Sequence, residues 1–187
     1  MATSITTDAT TTTLNNNGNA YLTVSASDVV SLTNPLPVAS GGTGSSALSY
    51  VRLNSANGYG ATNTKIRRFT NIVDNVGSDI TYADSSTLGA SFTINTAGLY
   101  SVHYSDQFNA ADQVFGLSLN STQLTTNVGT LAVGEILCVV VNYNANWPSA
   151  ASSTFYASAT DVVRPHTQAG VTGSQNDLCH FTIARVA

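Results

Sequence analysis

The sequence predicts an all-β protein: an antiparallel sandwich of the jelly-roll kind behind an extended N-terminal arm. Three observations carry this. From residue 46 onward the chain breaks into short runs, each bounded by Gly, Asn, Asp or Ser. Many of these runs alternate polar with apolar residues, as half-buried strands do, and no useful length of chain shows helical periodicity. Eight or more strands at such spacing in one domain point to a sandwich, and among sandwiches the jelly roll leaves few edges open.

In chain order the runs are "LSYVRLNS", "KIRRFTNIV", "DITYAD", "ASFTINT", "GLYSVHYSDQF", "QVFGLSLN", "EILCVVVNY", "STFYASAT", "DVVRPHT" and "LCHFTIARV". The fifth shows the logic most plainly. Alternation puts Tyr100, Val102 and Tyr104 on one face and Ser101, His103 and Ser105 on the other, and the aromatic face is the one to bury. Cys138 and Cys179 each lie in an apolar run, where a free thiol behaves as a small core hydrophobe, so two buried thiols are expected rather than a disulfide.

Residues 1–45 are a different material. "TSITTDATTTTLNNNGNA" has almost no apolar content and no period, and only "AYLTVSASDVVSL" offers a short strand or two. The expectation is an arm over 1–45 that is held by a partner, and a knob over 46–187. Between them, "PVASGGTGSS" reads as a hinge at Gly41, Gly42 and Gly44. A phosphate-binding loop is the rival, but Lys65 is the only lysine and the residues after Gly44 are strand-like, so the lysine and helix start that such a loop needs are missing.

Composition excludes several functions. Charged residues are 9% of the 187, so the surface must be polar mainly through hydroxyls and amides. A net charge of −4 with one adjacent basic pair, Arg67 and Arg68, argues against nucleic acid. No apolar run has the length of a membrane span, and "MATSITTDATTTT" has neither the basic nor the apolar region of a secretory signal. No cofactor is expected.

Candidate chemistry is thin. Glu135 is the only glutamate, and most of the nine aspartates lie in turn-like settings, so the carboxylate pair of a glycosidase is not expected. His103, His166 and His180 read as ordinary strand residues without a nucleophile elbow. "DNVGSD" and "SDQFNAAD" supply oxygens that Ca²⁺ prefers but not the ordered spacing of a dedicated loop, so no metal site is assigned. Trp147, in the loop-like "NYNANWPSA" with Tyr143, is placed to stack on a sugar, fill a partner pocket or be buried between copies.

"FTINTAGLYSVHYSDQF" resembles a segment of the C1q and tumour-necrosis-factor-like jelly rolls, with Phe92, Gly98, Tyr100 and Tyr104 in the matching places. "ATDVVRPHT" is similar to the glycine-aspartate step that opens a late strand there, with Asp161 kept and Thr160 where glycine is usual. "HFTIARV" resembles the closing strand, with Phe181 as its aromatic. "PLPVASGGTG" resembles junctions of bacteriophage tail fibres and virion appendages, and "VRLNSANGYGATNTKIRRFTN" resembles phage C1q-like domains. The resemblance implies a homotrimer, with Phe92, Tyr100, Val102, Tyr104 and Phe181 in trimer core or packing. The function expected is a non-enzymatic virion protein assembled in the host cytoplasm. It would decorate and cement the capsid, with its arm on the major capsid protein or another virion protein. The alternative is a short tail fibre whose knob binds a bacterial surface receptor. A fibre needs a shaft of heptads or a repeated β-motif, and residues 1–45 contain neither.

Overall fold

A computed structural model describes the backbone of Thr3–Thr7, Thr11–Asn16, Asn19–Ser25 and Val30–Leu32, together with residues 48–61, 63–168 and 176–186. Gly41, Gly42 and Gly44, the expected hinge, lie outside the described residues. The chain divides into two compact units, Met1–Ser46 and Ala47–Ala187.

The N-terminal unit carries more regular structure than its composition predicts. β1 (Thr3–Thr7), β2 (Thr11–Asn16), β3 (Asn19–Ser25) and β4 (Val30–Leu32) form an antiparallel sheet in chain order, with Thr3 opposite Asn16 and Thr11 opposite Ser25. Where the sequence offers a strand or two, the structure has four. Ladder hydrogen bonds come from the backbone, and threonine is β-branched with high strand preference, so a Thr-rich run pairs without apolar content.

The C-terminal unit is a sandwich of two five-stranded antiparallel sheets. Its strands are β5 (Tyr50–Tyr59), β6 (Arg67–Val76), β7 (Ile80–Ser85), β8 (Gly89–Ile94), β9 (Gly98–Gln107), β10 (Gln113–Leu119), β11 (Ile136–Asn142), β12 (Pro148–Ala157), β13 (Val162–Thr167) and β14 (His180–Arg185). One sheet has the order β11-β10-β13-β8-β7 and the other β12-β9-β14-β5-β6. From β8 on, the chain crosses between the sheets at nearly every step, which is jelly-roll winding. β12 starts earlier than the sequence suggests, at Pro148, a first-residue position where proline's missing N–H costs no ladder bond.

Period-two burial builds the core. Tyr100, Val102 and Tyr104 of β9 point inward, while Leu99, Ser101 and His103 face out. Phe92 of β8 stacks on Phe181 of β14 at 4.0 Å between ring centres, joining the sheets, and Tyr104 meets Phe115 of β10 edge to face at 5.4 Å. Gly89 opens β8 at φ +84°, in the left-handed region, and a Cβ there would press on Ile66.

The strand directions fix which loops share an end. β9 and β5 run the same way, because each pairs antiparallel with β14, and β12 runs against β9 with Pro148 opposite Gln107. Tyr50, Leu99 and Tyr156 therefore mark one end of the sandwich. Residues 60–61 and 63–66 and the connections 108–112 and 143–147 lie at the other.

Candidate functional site

Three features stand out from the packing: a buried ion pair, a buried histidine, and exposed aromatics at the loop end. The ion pair is made by Arg67 of β6 and Asp106 of β9, both fully buried. Arg67 Nη2 donates to Asp106 Oδ1 at 3.0 Å, and Nε lies 2.9 Å from Oδ2, off the direction of a good hydrogen bond. The same carboxylate accepts from the Tyr104 hydroxyl at 2.5 Å, the Gln107 backbone N–H at 2.8 Å and the Cys179 thiol at 2.6 Å. The guanidinium carbon sits 5.0 Å from the centre of the Tyr59 ring.

Burial works against the Arg67 charge, but Asp106 and the neighbouring phenols outweigh it, so the guanidinium is held protonated. Burial, then Asp106, pushes the Cys179 thiol up to about 11, so it stays a donor rather than a nucleophile. With every member inside the sandwich, this centre ties β6, β9 and the start of β14 together. It corrects the reading of the aspartates as turn residues, since Asp106 is in mid-core. The signal was present: alternation from Tyr100 through Val102 and Tyr104 leads inward to position 106, and Arg67 shares a face with Phe69.

Five other acids are tied into structure. Asp74, Asp79 and Asp84 pair with Arg52, Arg185 and Arg68 at 3.7, 3.3 and 2.8 Å. Asp161 closes its loop by accepting from Asn120 Nδ2 and the Ser158 N–H, and Glu135 accepts from the Ser121 hydroxyl. Thr160 holds φ +77°, the backbone state that makes glycine usual before that aspartate. Among the described residues, no three His, Cys, Asp or Glu side chains are grouped as a metal site requires. Among the same residues, no helix is long and apolar enough to cross a membrane.

His166 of β13 is fully buried. Its Nε2 lies 2.8 Å from the Thr126 carbonyl oxygen and its Nδ1 3.1 Å from Ser118 Oγ, so Nε2 carries the proton and Ser118 donates to Nδ1. Burial lowers its pKa. His103 is exposed on β9. Phe92, Tyr100, Val102, Tyr104 and Phe181 all pack inside the sandwich and are at most 1% exposed. Both cysteines are free. Cys179 is buried, but Cys138 is only half-buried, because β11 is an edge strand with a partner on one side alone.

At the loop end, Tyr143 and Trp147 are 72% and 67% exposed. Their loop is fixed from below: the Asn146 N–H donates to the Phe108 carbonyl at 2.7 Å, and Gln107 Nε2 donates to the Asn146 carbonyl.

No protein-family model matches the sequence, and no curated protein does. Among solved structures, the chain is similar to murine APRIL at pH 5.0, with a TM-score of 0.50 and 11% identity over 74% of this chain and 98% of that one. Pika GITRL matches with a TM-score of 0.48 and 11% identity over 75% and 97%. Murine APRIL at pH 8.0 matches with a TM-score of 0.47 and 14% identity over 74% and 98%. The first of these likenesses, together with the two antiparallel sheets, shows that the chain has a tumour-necrosis-factor-like jelly-roll fold.

Proposed function

We propose that the chain is a non-enzymatic structural protein of a bacteriophage particle, a homotrimer that decorates and cements the capsid and is seated on it through the N-terminal unit. The observation that carries this reading is the outward face of the β12-β9-β14-β5-β6 sheet. There Thr154, Ser101 and Ala184 lie in register across three strands, as do Ser152, His103 and Thr182 in the next row. Compact side chains let a second body approach closely along a sheet. Leu99 and Tyr156, paired at the end of the same face and both exposed, offer it apolar area. Three copies meeting on this face would form the assembly that the family resemblance implies. The ion pairs and loop closures of Asp74, Asp79, Asp84, Asp161 and Glu135 add support, since they occupy carboxylates that a hydrolase would use.

Deleting residues 1–46 tests the anchoring. The remaining sandwich is expected to unfold at an unchanged temperature and to be absent from purified particles. A truncated chain that still decorates particles would overturn this reading.

The second reading, a short tail fibre, is favoured by the Gly-Gly-Thr-Gly junction and by the aromatics at the sandwich end opposite Tyr50. In it, that end meets the host surface.

A further inference from the structure

We propose that the two adjoining loops 108–112 and 143–147 form a binding site for a neutral glycan, with Tyr143 and Trp147 as its stacking platforms. This deepens the tail-fibre reading by naming the receptor's chemistry, though the binding itself does not depend on where the protein sits.

Leaving a tyrosine and a tryptophan in water forgoes a large apolar gain. The loop is built, not loose: Asn146 takes φ +62°, and both its N–H and its carbonyl are held from the neighbouring strand end. Residues 143 and 147 stand within about 14 Å of each other on even a fully extended chain, and the turn between them shortens that span.

The polar groups around the rings select the ligand. Exposed Asn109 and Asn144 bring amides, each able to donate and accept. The two loops contain no lysine or arginine and one carboxylate, Asp112. Within these two loops phosphate and acidic sugars would find no counter-charge. Behind the platform, Gln107 Oε1 and Asn142 Nδ2 are buried without a hydrogen-bond partner, one acceptor and one donor. A buried water, which both donates and accepts, would satisfy either of them. Flat apolar C–H faces flanked by hydroxyls are the surface of a neutral pyranose, which matches rings flanked by amides.

Trp147 is the only tryptophan, so its emission reports on this site alone. The full chain is titrated with cellohexaose, maltohexaose, chitohexaose and, as an anionic comparison, oligogalacturonate. The expected result is a saturable emission change with at least one neutral oligosaccharide and none with the anionic one. By calorimetry, Trp147→Ala and Tyr143→Ala should each weaken binding by about tenfold or more, equivalent to about 1.4 kcal/mol, at unchanged unfolding midpoint and unchanged oligomeric mass. Tyr156→Ala, an exposed tyrosine at the opposite end, should leave binding intact. No binding of any neutral oligosaccharide overturns the proposal, as does binding that survives both loop variants. A drop in oligomeric mass in Trp147→Ala also overturns it, because the ring then belongs to a contact between copies. Placement on the particle is read separately: glycan binding by a protein found on the shell sinks the tail-fibre reading and leaves the site standing, while a tail-tip location without glycan binding does the reverse.

Discussion

At the scale of single residues, Asp106 is the most demanding position in the sandwich. It is a carboxylate with no access to water, made tolerable by Arg67, Tyr104, Cys179 and one backbone N–H. Removing it strands the Arg67 charge in the core, so Asp106→Ala should cost about 3–5 kcal/mol by urea unfolding. The double change Arg67→Met with Asp106→Leu should recover the part of that loss that comes from the stranded charge, while the Tyr104 hydroxyl and the Gln107 N–H remain without their acceptor. Full destabilisation in the double variant would mean that the pair contributes more than mutual neutralisation. His166 makes a prediction of opposite character. Its folded pKa lies below the ordinary 6.5 of the unfolded chain, through burial first, with the Thr126 carbonyl and Glu135 pulling upward and Arg164 downward. Below about pH 6.5 the unfolded state therefore binds a proton that the folded state refuses. Stability is complete above that pH and falls with acidification, by up to about 1.4 kcal/mol per pH unit from this one group. Urea midpoints from pH 7.5 down to 5 should show the slope, and His166→Gln should flatten it. A slope unchanged by that substitution would assign the acid sensitivity elsewhere.

At the scale of elements, alternation decides both what the sequence reveals and what it hides. The inward row Tyr100, Val102 and Tyr104 was legible because a strand's period is two and aromatics seek burial. Tyr100→Ser should therefore cost about 3–5 kcal/mol, while exposed His103→Ser should change stability by less than about 0.5 kcal/mol. Equal losses would show that the face assignment of β9 is wrong. The same alternation continues to Asp106, yet a carboxylate on an inward position reads as a contradiction until its partner is known, and Arg67 lies 39 residues away on another strand. Such pairs depend on sheet order, which local pattern does not encode. The sheet of β1 to β4 was hidden for the reverse reason. Sequence reading weighs apolar content, whereas a threonine-rich ladder is held by backbone bonds. Of the candidate glycan site, the aromatics and asparagines of 143–147 were visible in the sequence. Their contact with 108–112, and the two buried amides behind them, came only with the fold.

At the scale of the whole molecule, a jelly-roll sandwich and a separate N-terminal unit are expected to assemble about a three-fold axis. Native mass measurement of the full chain should give three times the chain mass, unchanged by reductant, because both thiols are free. A monomer, or loss of the assembly on reduction, would contradict the trimer. Placement on a particle is the central claim, and imaging tests it most directly. Phage particles carrying this protein, bound by a gold-labelled antibody raised against the sandwich, should show label distributed over the capsid shell. Label confined to the tail tip would establish the tail-fibre reading in its place, and particles without label would contradict a virion role altogether.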